Sequence, residues 1–238
     1  MPITTLIQTL IFKSFVFQGY RQSVWASTVQ MISKHNSEYE NGEHTFNLGE
    51  NKLADMTPDE IKLRLNGLVV SNADTSDVDV DVDVTVTVTE AELAKLNKTV
   101  NWIEKGYVTH VKDQGENCGS CWAFSATGSI EGAHFKSTGK LVSLSEQNLM
   151  DCSKEEPNKG CDEGLAVVAF KYVIAVGGID TEASYPYNCK NCNATTADMT
   201  CKFNFSDVGA TISSFKRIPA NSEMVGSTFY LRLSASFL

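Results

Sequence analysis

Basic residues, long apolar runs and histidines are all scarce in this sequence, and each shortage excludes something. The 238 residues carry 20 Lys and Arg against 29 Asp and Glu, a formal net charge of −9. A nucleic-acid partner would call for clustered Lys and Arg to neutralise phosphates, so no nucleic acid is expected. No run approaches the ~20 apolar residues of a membrane helix, so no membrane span is expected either. Residues Thr5 to Phe17 are apolar, but Lys13 interrupts them and no basic stretch precedes them. They do not make a convincing signal peptide. Histidine occurs only four times, at His35, His44, His110 and His134, which limits any reaction that needs an imidazole base.

Cysteine, by contrast, is plentiful. Seven is an odd count, so at least one thiol is unpaired if the rest form disulfides. Six paired cysteines and one free thiol suit an extracytoplasmic thiol enzyme; seven reduced core cysteines are the alternative. Three N-x-S/T triplets, at Asn97, Asn193 and Asn204, fit a secretory route as glycosylation candidates.

Several segments announce their local structure. Val24, Trp25, Val29 and Ile32 form a stripe of roughly helical period between Arg21 and Asn36. His44 to Asp55 reads as a short strand with a turn at Gly49. Thr57-Pro58-Asp59-Glu60 is a helix start, with Thr57 as cap, Pro58 in the first turn and Glu60 completing a capping box; Gly67 should stop that helix. Val78 to Thr89 alternates Val with Asp and then Thr. Asp79, Asp81 and Asp83 would share a strand face, but a calcium site wants a curved, oxygen-rich loop. This run reads as a linker, and no metal is expected there. A long helix is predicted from Cys121 to about Lys136, with Trp122, Phe124, Ile130 and Phe135 mostly inward and Gly139 ending it. Ser143 and Glu146 look like a second capping box. Asp162 is placed to cap a third helix, with stripe Leu165, Val168, Ala169, Tyr172 and Val176 and a stop at Gly177-Gly178. Helices first and short strands later indicate an α+β chain.

The stretch Gln114 to Ser125 carries the chemistry. Cys121 sits where a loop turns into a helix, and unpaired N–H groups with the positive end of the macrodipole favour a thiolate there. Cys118-Gly119-Ser120-Cys121-Trp122 fits the C-G-[SA]-C-[WY] signature of the papain and cathepsin cysteine at every position. From about Leu96 onward the chain resembles the start of a mature papain-like domain. The preceding segment resembles the inhibitory propeptide of the cathepsin L-like group: Arg21, Trp25, Ile32 and Asn36 occupy one of its motifs, and Gly49, Asn51, Leu53 and Asp55 the second. Phe17 and Thr28 depart from the first motif.

The resemblance implies a papain-like α+β fold, with a helical propeptide plus a helical left half and a right-hand β-barrel half largely missing. The expected division is 1–18 unassigned, 19–67 propeptide, 68–95 linker, 96–223 the first part of the peptidase domain and 224–238 an unassigned tail. It also implies a cysteine endopeptidase precursor acting through an acyl-enzyme, lysosomal or secreted, with no cofactor. Its partners would be peptide or protein substrates and its own propeptide in the cleft. Cys121 corresponds to the nucleophile and Gln114 to the oxyanion donor, with one residue more between them than is usual. The extra residue at Glu116-Asn117 either bulges outward or displaces Gln114. The resemblance pairs Cys118 with Cys161 and Cys152 with Cys201. Cys189 and Cys192 could pair with each other or form a metal half-site. Gly164, Leu165 and Ala166 correspond to substrate-binding positions, with Glu163 replacing a glycine.

The family's histidine and asparagine lie ~130–150 residues beyond the cysteine, which is past Leu238. His134 is 13 residues along the same helix, ~20 Å away; the other three histidines are expected to be surface or packing residues. The chain alone is therefore expected to be inactive. The alternatives are a non-catalytic propeptide-type inhibitor of related proteases and a gene fragment.

Overall fold

Thr57 and Glu60 fold as their spacing predicts. Thr57 N–H donates to Glu60 Oε2 at 2.9 Å and Glu60 N–H to Thr57 Oγ1 at 3.3 Å, closing the capping box that starts a helix. The computed structural model describes residues 3–66, 100–189 and 198–215. The linker at Val78–Thr89, Gly67, Cys192, Asn97, Asn193 and the tail from 224 lie outside the described residues. Two compact units are present, Met1–Arg64 and Leu65–Leu238.

The first unit holds α1 (Ile3–Glu40) and most of α2 (Pro58–Leu65). Arg21 ties these two helices: its guanidinium donates to Glu60 Oε1 at 2.8 Å and Oε2 at 3.0 Å, and to the Asp55 carbonyl at 2.7 Å. Asn36 holds the intervening segment, accepting from Leu48 N–H at 2.7 Å and donating to the Leu48 carbonyl at 2.9 Å. Trp25 Nε1 donates to Glu50, and Ile32 is half-buried. The strand expected at His44–Asp55 is absent: these residues are irregular, with a turn at 52–55 rather than at Gly49. Their backbone groups bond side chains of α1 instead of a neighbouring strand. Asn51 Oδ1 anchors the turn by accepting from Leu53 N–H at 2.9 Å.

The second unit is built on α3 (Cys121–Thr138), which packs against α4 (Glu146–Cys152) and α5 (Ala166–Val176). Trp122, Ala126 and Ile130 face the core, where Leu149, Val173 and Ile179 meet them. Phe124 and Phe135 are only half-buried. Gly139 and Gly177 end α3 and α5 in left-handed conformations, φ 71° and 86°. Strands β1 (Ile179–Asp180) and β2 (Val208–Ala210) pair antiparallel, with Ile179 opposite Ala210.

Two expected caps are corrected. Helix α4 starts two residues later than a Ser143 cap would give, because Leu144 bridges Thr181 and Ser143 accepts from Glu182 N–H at 2.9 Å, keeping the chain extended. Ser145 is the cap, accepting from Asn148 N–H at 2.9 Å. Ser143 Oγ is buried with no hydrogen-bond partner among the described residues. Likewise Asp162 does not cap α5, whose N-cap is Leu165. Asn158 sets that start: its Oδ1 accepts from Leu165 N–H at 2.7 Å. Val168 and Ala169 of the expected stripe are buried and Tyr172 packs against the core, and Val173, not in that stripe, is buried as well.

The buried carboxyls of the second unit and the hydrogen-bonded carboxyls of the first respond to acid in opposite directions. In the second, burial holds Asp151, Asp180 and Glu182 above their ordinary values. A raised carboxyl binds its proton more tightly in the folded state, so folding gains as pH falls from the raised values toward about 4. In the first unit, a hydrogen bond from His44 lowers Glu38, and the Thr57 backbone N–H, aided by Arg21, lowers Glu60. Their contribution is present above the ordinary carboxylate value and is lost below it. Hydrogen exchange, corrected for intrinsic rates, should show α3 and α5 gaining protection as pH drops from about 6 to about 4. Amides of α1 and α2 should lose protection below about pH 4.

Candidate active site

Cys121 is the first residue of α3, behind the N-cap Ser120, whose side chain makes no capping bond. Ala123 N–H turns back to the Ser120 carbonyl at 2.9 Å, so the N–H groups ahead of it are those left to an anion at the helix start. Cys121 is half-exposed and is the free cysteine of the described residues. Cys118 is bonded to Cys161, and Cys152 to Cys201. The first bridge fixes the loop just before the helix, helped by Gly119 N–H donating to the Cys161 carbonyl at 2.7 Å. Cys189 is disulfide-bonded as well, with its sulfur 3.7 Å from Cys161 Sγ, which removes the metal half-site reading. The three clustered sulfurs of Cys118, Cys161 and Cys189 thus offer no thiolate to a metal.

Gln114 is half-buried, and its side-chain N–H₂ donates to the Cys118 carbonyl at 2.9 Å and to the Leu65 carbonyl at 3.0 Å. Glu116 and Asn117 form an exposed bend, so the extra residue is taken up outward. Gly160, Gly164 and Trp122 form one packing unit. Trp122 Nε1 donates to the Gly160 carbonyl at 3.0 Å, and a Cβ on Gly164 would fall 2.5 Å from the indole. Gly164 is thus required by the tryptophan beneath it. Leu165 and Ala166 are half-buried at the start of α5.

Three groups at the site were not foreseen. Tyr187 donates its hydroxyl to the Gln114 carbonyl at 2.8 Å, stands 2.9 Å from Ser120 Oγ, and packs edge-on against Phe124. Burial pushes this phenol up to about 12, so it stays a donor throughout the neutral range. Lys112 and Glu131, the other two, form a buried ion cluster with Glu146. Glu131 is an isolated charge in a largely apolar helix, whereas Lys112 stands beside Asp113 and Gln114 and carries no such signal. Tyr187→Phe removes the donor to Gln114 and should cost about 1 kcal/mol in urea unfolding. Proteolysis of the 114–118 loop should rise as well.

His134 lies within α3, half-buried and lowered by burial and by Lys140, while His110 is exposed. Neither is placed beside Cys121 by any hydrogen bond. His35 and His44 belong to the first unit and stack on each other.

Cys121 thus stands free at a helix start that the Cys118–Cys161 disulfide braces. The family profile described as "Papain family cysteine protease" matches residues 96–229, and that described as "Cathepsin propeptide inhibitor domain" matches residues 12–61. The chain belongs to the papain family of cysteine proteases. This papain-family chain is 42% identical over 202 residues to procathepsin L of Rattus norvegicus, covering 85% of this chain and 55% of that protein. It is 44% identical over 203 residues to a cathepsin L-like peptidase of Aedes aegypti, covering 85% and 58%. The chain therefore spans little more than half the length of these relatives. Among solved structures, digestive procathepsin L 3 of Tenebrio molitor larval midgut aligns with TM-score 0.67 at 31% identity, covering 90% of this chain and 63% of that one. The α+β, papain-like character expected from the sequence is thereby established, as is the cathepsin L-like zymogen class.

Proposed function

We infer that this papain-family chain is part of a cathepsin L-like endopeptidase precursor in which Cys121 attacks the scissile carbonyl and Gln114 stabilises the oxyanion. The carrying observation is Gln114 itself. Its side-chain amide already donates to a main-chain carbonyl, that of Leu65, at 3.0 Å. A donor that holds a peptide carbonyl in the resting chain is suited to hold the oxygen of a substrate carbonyl as charge develops on it. Such a donor contributes about 10²–10³ in rate. Gly164, Leu165 and Ala166 line the approach to substrate. Two disulfides among the described residues fit a secretory route to a lysosome-like or extracellular compartment. Asn204, the glycosylation candidate among the described residues, is exposed, with its Nδ2 donating to Asp207 Oδ2 at 2.8 Å.

On this reading the polypeptide 1–238 by itself should give little or no turnover, since His110 is exposed and His134 lies 13 residues along α3 from Cys121, and neither has a hydrogen bond toward it among the described residues. The test is hydrolysis of a dipeptidyl fluorogenic substrate by this polypeptide, beside its Cys121→Ala variant. Equal background rates are expected. Steady hydrolysis that disappears in Cys121→Ala would establish a base within these residues and refute the inactivity.

A further inference from the structure

A second chemical cluster lies in the first unit, apart from the peptidase chemistry. His35 and Glu38 are three residues apart on α1 and so share a face. His44 returns to that face because the helix closes in a Schellman turn. Glu43 N–H donates to the Glu38 carbonyl and Gly42 N–H to the Tyr39 carbonyl, both at 2.9 Å, and Gly42 adopts φ 80°. One nitrogen from each imidazole and one Glu38 oxygen then lie within 4.8 Å of one another, at a half-exposed place. His44 Nε2 is 3.1 Å from Glu38 Oε2, and the two rings are stacked with centroids 4.1 Å apart.

We propose that His35, Glu38 and His44 bind a divalent transition-metal ion of the zinc type. Two imidazoles and a carboxylate form a common zinc donor set, leaving a fourth position for water. Imidazole donors select zinc, copper or nickel over magnesium and calcium. The stacked rings must turn to converge on one ion, and the surroundings leave donors free for it. His35 Nε2 lies 3.0 Å from the Phe46 carbonyl, which can only accept, so the neutral ring carries its proton there and has its Nδ1 lone pair free to ligate. A backbone carbonyl behind a histidine is the usual device for fixing a ligating ring. Lys34 reaches the other oxygen of the Glu38 carboxylate, Oε1, at 3.6 Å and leaves Oε2 to the ion. The ion would replace the hydrogen bond between His44 Nε2 and Glu38 Oε2. A tetrahedral shell sets its donors roughly 3.4 Å apart, which side-chain rotation can supply. Once bound, the ion would clamp the end of α1 to the segment that follows it.

The test uses the full 238-residue chain carrying Cys121→Ser, so that the free thiol does not compete for metal. Zinc binding is measured by competition with a chromophoric chelator. One zinc ion per chain is expected, with affinity at least about tenfold weaker in His35→Ala and in His44→Ala, and unchanged in His110→Ala. Because a substitution can disturb folding, ring-proton NMR of the chain with both histidines intact gives a second reading. Saturating zinc should shift the signals of both His35 and His44. Absence of zinc binding, unchanged affinity in both histidine variants, or unmoved ring signals would each overturn the proposal.

Discussion

Lys112→Met should destabilise the second unit by about 3–5 kcal/mol, against the 5–15 kcal/mol that domains of this size typically possess. The Lys112 ammonium lies 2.8 Å from Glu131 Oε1 and 2.7 Å from Glu146 Oε1, and donates to the Leu144 carbonyl at 3.0 Å. Both glutamates are almost fully buried, at 2% and 0% relative exposure, so the lysine is what makes their charge tolerable. Burial by itself pulls the lysine down, but the hydrogen bonds and charges of Glu131 and Glu146 outweigh it and hold it above its ordinary value. A raised lysine contributes fully below its unfolded value of about 10.4 and loses that contribution only as pH rises through the folded value. The effect of the substitution therefore persists at neutral pH. Urea unfolding followed by circular dichroism measures it. Adding Glu131→Gln and Glu146→Gln to Lys112→Met should recover a large part of the loss, because no unpaired charge is then buried. A loss below about 1 kcal/mol in the single variant would mean that water reaches the carboxylates.

Trp122→Ala should cost a similar amount, about 3–5 kcal/mol. The indole is 2% exposed, and its removal leaves a cavity at the start of α3. The Gly160 carbonyl also loses its donor, and a buried acceptor left unmatched costs about 1–3 kcal/mol by itself. Gly164 reports on the same contact from the other side. Gly164→Ala puts a methyl into the indole, a clash of the kind that costs about 1–3 kcal/mol. If the Trp122–Gly164 packing is as described, Gly164→Ala should cost little in the Trp122→Ala background. Additive losses in the double variant would show that the two positions do not share the contact.

What could be read from the sequence follows from how local the physics is. The Thr57–Glu60 box and the glycine stops at Gly139 and Gly177 depend on neighbours within one turn, and the sequence prints those neighbours. The caps at Ser143 and Asp162 were misread because distant partners decided them. Thr181 and Glu182 hold residues 143–144 extended, and Asn158 reaches across to Leu165. The strand expected at His44–Asp55 failed for the same reason, since Asn36 and His35 take up the Leu48 and Phe46 backbone. Tyr187 stayed hidden because its partners, Gln114 and Ser120, are 73 and 67 residues away in sequence. No periodicity carries such information.

The placement of Cys121 as the free thiol of the described residues is tested most directly by alkylating the undenatured, unreduced chain with iodoacetamide and mapping its peptides by mass spectrometry. Among the described cysteines, Cys121 alone should carry the label, with Cys118 linked to Cys161 and Cys152 to Cys201. A peptide in which Cys121 is itself disulfide-linked, or labelling at Cys118 with Cys121 protected, would contradict the assignment of Cys121 as the nucleophile.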